Sequence, residues 1–67
     1  MNAKRILELP LTNGNVAFID VEAIIVISKH TDKSTIIFFQ GNTQVTVSMP
    51  VEELVSKLKT LGVVTTV

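Results

Sequence analysis

Residues 23–48 read AIIVISKHTDKSTIIFFQGNTQVTVS. Two dense apolar runs and one alternating run are separated by turn residues, the pattern of three consecutive strands. Ile24, Ile25, Val26 and Ile27 are β-branched, and Ile36, Ile37, Phe38 and Phe39 repeat the density. Side chains alternate across a strand, so an unbroken apolar run offers greasy surface on both faces. In Thr43–Ser48, by contrast, Val45 and Val47 point one way while Gln44, Thr46 and Ser48 point the other. That strand has one wet face. We place strands at about Ala23–Lys29, Thr35–Gln40 and Thr43–Ser48. A polar connector, His30 to Ser34, and a tight Gly41-Asn42 turn join them.

Upstream, Leu7, Leu9 and Leu11 alternate around Glu8 and Pro10, which fits a half-buried strand over about Ile6–Leu11. Proline cannot donate to a ladder, so this strand is expected at an edge, or with Pro10 facing away from its partner. Asn13-Gly14 follows, and the pair tolerates the positive φ angles of a type I′ hairpin turn. The next strand is about Asn15–Asp20, with Val16 and Phe18 on one face and Ala17 and Ile19 on the other. Asp20-Val21-Glu22 breaks it.

Downstream, Pro50 and the Glu52-Glu53 pair mark a helix start, where proline loses no internal bond and the dipole favours anions. Val51, Leu54, Val55, Leu58 and Leu61 fall on one helical face. Lys57 and Lys59 suit the far end of the dipole, and Gly62 is a natural stop. Residues 1–5 are read as a loose N-terminus. Val63–Val67 favours strand, and three readings stay open: a sixth strand, a strand added to a neighbour, or a frayed end.

The whole is one small domain of 67 residues. The expected fold is α+β, mainly β: a small curled antiparallel sheet or partial barrel of about five strands with one C-terminal helix. A chain this short is marginal as a lone core. It has no cysteine, so no disulfide staples it, and small scaffolds then rely on packing, metal or association. His30 is the single histidine, which leaves too few ligands for a transition-metal site. No cofactor is expected.

Six basic and six acidic residues give a formal net charge of zero. Nucleic-acid binders draw affinity from phosphate neutralisation and usually carry a basic surplus, so nucleic acid is a weaker alternative partner here. It would need Lys29, Lys33 and Lys4 or Arg5 to form one basic surface. Met1 to Arg5 does not lead into an apolar signal-peptide core, and no apolar run approaches the ~20 residues of a membrane helix. A cytoplasmic protein without membrane insertion is the expectation.

Chemistry-bearing clusters are few. His30 lies near Asp32 with Ser28 and Ser34, but a triad is defined by geometry rather than nearness in sequence. So short a chain also has little room for a pocket of the usual ~300 Å³ or more. Asp20 and Glu22 share one turn without the ligand number of a calcium loop. Neither glycine turn fits a phosphate-binding pattern. These residues read as exposed loop and turn positions, and the protein as a non-enzyme.

Several short motifs follow one another in a suggestive order. They are Leu9-Pro10-Leu11-Thr12-Asn13-Gly14, Phe18-Ile19-Asp20 before Ile24 to Ile27, Thr35-Ile36-Ile37 running to Gly41, and Val45, Val47 before Glu52-Glu53-Leu54. In this order the chain resembles the FlbD-like family of small bacterial proteins associated with flagellar gene clusters. The resemblance implies a bacterial accessory protein. Val21 to Leu58 is also similar to the core of LytTR-type DNA-binding domains, which implies the alternative of a nucleic-acid-binding regulatory module.

One helix covers one face of a sheet. The second face of the two apolar strands therefore needs the N-terminal hairpin curled over it, or another molecule. The expected function is a homo-oligomeric assembly or protein-interaction module, with itself or another protein as partner. Ile25, Ile27, Ile37, Phe39 and Val64 are the expected interaction residues.

Overall fold

The computed structural model describes residues 5–62. Five strands and one helix follow in order: β1 (Ile6–Pro10), β2 (Val16–Asp20), β3 (Ile24–Thr31), β4 (Ser34–Phe39), β5 (Thr43–Val47) and α1 (Val51–Thr60). The fold is α+β and mainly β. The strands form two antiparallel sheets, β1-β2 and β3-β4-β5. A bridge between Leu11 and Val47 joins them. Thr12 N donates to Thr46 O at 3.2 Å, and Ser48 N donates to Pro10 O at 2.8 Å. Across this seam the strands run 2-1-5-4-3, and the two sheets do not close into a barrel. β1 thus has neighbours on both sides and is not an edge; Pro10 faces away from β2, because the hydrogen-bonded pair is Leu11 and Asn15, and its carbonyl serves the seam.

The first hairpin differs from the expected type I′ turn. Gly14 N donates to Leu11 O at 3.2 Å, and Leu11 N to Asn15 O at 2.7 Å. Only Gly14 takes a positive φ (90°) in this loop. Asn13 stays at negative φ and uses its side chain to accept from Asn15 N at 3.0 Å. This is a three-residue loop, a turn followed by one left-handed glycine. At the second glycine turn, expected to be tight, both Gly41 and Asn42 take positive φ.

β3 runs on through His30 and Thr31, further than the sequence suggests. The connector shrinks to Asp32-Lys33, because Thr31 Oγ1 accepts from Lys33 N at 3.1 Å and meets Ser34 Oγ at 2.6 Å. Between β2 and β3, Val21–Ala23 forms a single 3₁₀ turn capped by Asp20, whose side chain accepts from Glu22 N. The turn drops Val21 into the core, 1% exposed.

Leu9, Ile19, Val21, Ile37, Val47, Met49, Leu54 and Leu58 form one buried cluster. It draws on both sheets and the helix together. The hairpin and the helix thus pack on the same face of the β3-β4-β5 sheet, not on opposite faces. Thr35 is the fully buried polar residue of this core, and its hydroxyl donates to Met49 O at 2.8 Å. That bond ties β4 to the start of the helix. At the helix C-terminus Gly62 takes φ 76°, and the Arg5 guanidinium donates to Leu61 O at 2.6 Å and pairs with Glu22 at 3.3 Å.

Candidate interaction surface

The decisive local feature is a β-bulge. Ile24 pairs with Phe39 and Val26 with Phe38, so Ile25 is an extra residue opposite nothing. A bulge lets two successive residues escape strict alternation and re-aims a side chain. Ile24 and Ile27 turn towards the core, while Ile25 and Val26 are both exposed, 59% and 49%. The register continues this outer row as Val26, Phe38 and Gln44 across the three strands.

Ile25, Val26, Phe38, Phe39, Asn42, Thr43 and Gln44 line an open groove of about 560 Å³. Its floor is aliphatic and aromatic, and its rim on the β4–β5 turn side consists of amides and a hydroxyl. No charged side chain lines it. An apolar floor with a few polar groups at one rim is the usual make-up of a docking depression.

A second exposed apolar patch lies on the outer face of β1-β2. Phe18 is 72% exposed there, with Ile6 and Val16 at about half exposure beside it. Phe18 stands directly opposite Glu8, and Pro10 opposite Val16. The inner face of the same hairpin supplies Leu9 and Ile19 to the core. The two outer faces therefore point away from a shared interior.

The expected interaction residues separate in the fold. Ile25 is on the open face. Ile37 is fully buried, and Ile27 and Phe39 are partly buried against the core; Phe39 also borders the groove. Strict alternation from Ile25 would group it with Ile27, Ile37 and Phe39, and the bulge breaks that grouping. Val64 lies outside the described residues. Val26 and Phe18, both exposed, and Phe38, half-buried on the groove side, are apolar positions that sequence reasoning did not select. For Phe18 a signal existed: the Leu7-Leu9 alternation fixes the buried face of the hairpin once the strands are paired.

The other candidates disperse. His30 is an exposed strand residue; Asp32 pairs with Lys29 at 3.1 Å, and Ser34 is buried against Thr31. Asp20 caps the 3₁₀ turn and Glu22 pairs with Arg5. Among the described residues no cluster of three or more His, Asp or Glu is disposed to hold a metal ion. Lys29, in β3, and Arg5, just before β1, each have a carboxylate partner; Lys4 lies outside the described residues. No helix among the described residues is long and apolar enough to cross a membrane.

No family model, curated protein or solved structure matches this chain.

Proposed function

We propose that this protein is a non-enzymatic assembly module that associates with copies of itself through its open sheet faces. One observation carries the reading. The hairpin and the helix cover the same side of the β3-β4-β5 sheet, and Ile25, Val26 and Phe38 remain on the other. An exposed apolar strip rimmed by polar residues is one feature of contact surfaces. A chain of this length also gains most from association, because its own core is small. The neutral formal charge removes a long-range barrier to self-contact. A small accessory role of this kind agrees with the resemblance to FlbD-like proteins.

Sedimentation velocity over a wide concentration range tests the proposal. The expected result is a weight-average mass that rises with concentration, or a stable species larger than one chain. A monomer at millimolar concentration overturns it.

A further inference from the structure

The two exposed apolar patches differ in shape and chemistry, and the differences are complementary. On the hairpin, Phe18 projects from the sheet, with Glu8 directly across the strand pair. On the three-stranded sheet, the groove is concave, and Gln44 lies one strand beyond Phe38. Neighbouring strands are about 4.8 Å apart in any sheet. A Phe18 ring packed over Val26 and Phe38 therefore brings Glu8 one strand spacing to the side, above Gln44. The carboxylate of Glu8 only accepts hydrogen bonds, and the Gln44 and Asn42 amides donate them. No carboxylate lines the groove to repel it.

From this match we infer that the occupant of the groove is the β1-β2 hairpin of a second copy, with Phe18 as the anchor and Glu8 received by Gln44. The inference rests on the self-association proposed above and specifies its geometry. Because donor and acceptor are two different patches of the chain, on the β1-β2 hairpin and on the β3-β4-β5 sheet, the contact is heterologous, that is, head-to-tail. Such contacts build rings or open chains rather than closed twofold dimers. An aromatic anchor at the centre of a packed patch is the usual site of concentrated binding energy.

Mixing two defective chains tests it. Phe18→Ser removes the projection and keeps the groove. Val26→Glu spoils the groove and keeps the projection. Both positions are exposed, and circular dichroism verifies that each variant folds. Each variant alone is expected to associate at least about 30-fold more weakly than the parent, the effect of losing one hot-spot residue. Mixed together, they are expected to form a 1:1 dimer that grows no further, since one intact contact remains. Gln44→Glu is expected to weaken association, and adding Glu8→Gln to restore it. If Phe18→Ser assembles like the parent, or the mixture stays monomeric, the head-to-tail contact is overturned while self-association by another face survives. If Gln44→Glu has no effect, Glu8 does not dock on Gln44 and that register is overturned. A parent chain that is monomeric throughout removes both readings.

Discussion

Ile24–Ile27 and Ile36–Phe39 are near-equivalent as sequence and unlike as structure. The second run lies in β4, the central strand, where alternation holds and Ile37 has no exposure. The first lies in β3, at the sheet edge, where one extra residue turns Ile25 and Val26 outward together. A central strand has partners on both sides to enforce its register, whereas an edge strand has one and can accommodate an insertion. Similar runs thus divide differently: β4 alternates, with Ile37 inside and Phe38 on the groove side, whereas β3 turns two successive residues outward between Ile24 and Ile27.

One-residue deletions separate the two runs most clearly. Removing Ile37 shifts every following β4 residue to the opposite face and is expected to abolish the cooperative unfolding transition. Removing Ile25 leaves Ile24 opposite Phe39 and Val26 opposite Phe38 in regular pairing, so a cooperative transition is expected to remain. Calorimetry on the two deletions decides. If both fold, or neither does, the bulge is not the site of tolerance.

Truncation gives a graded version. Ile37→Ala is expected to cost about 2–5 kcal/mol from lost burial and a residual cavity. Total stability for a chain this size is only roughly 3–10 kcal/mol, so a large unfolded fraction at ambient temperature is the expected signature in urea titrations. Thr35→Val comes next. It keeps the shape but leaves the Met49 carbonyl without its donor, at a cost of about 1–3 kcal/mol. A neutral result in the same titration would mean that water replaces the hydroxyl. Smallest is Ile25→Ala, expected within about 0.5 kcal/mol when measured on dilute protein, as for other surface changes. A loss comparable to that of Ile37→Ala would place Ile25 in the core.

Strand positions, the helix face and the Gly62 stop are legible in the sequence, because periodicity and cap chemistry dictate them, and all reappear in the fold. The phase of β3 is not legible, because four consecutive β-branched residues carry no polar marker of which face is wet. The Asn13-Gly14 pair locates a loop without fixing its type, since asparagine serves equally well by a positive φ or by a side-chain hydrogen bond. The side on which the hairpin lies is hidden for a long-range reason: only the seam between Leu11 and Val47 decides it. The candidate surface inherits both problems. Of the expected interaction residues Ile25 and Phe39 line the groove, while its Val26 and Phe38, and Phe18 on the hairpin, were not among them.

That seam has a kinetic meaning as well. The β1-β2 hairpin and the β3-β4-β5 meander are each built from neighbours in sequence, and such local units form early and cheaply. Joining them closes a long stretch of chain, whose entropy cost must be met before the new contacts repay it. The hydrogen bonds of Thr12 to Thr46 and Ser48 to Pro10 report this event directly. Their amide protons are expected to exchange faster than those of β4, at a rate set by transient parting of two otherwise intact halves.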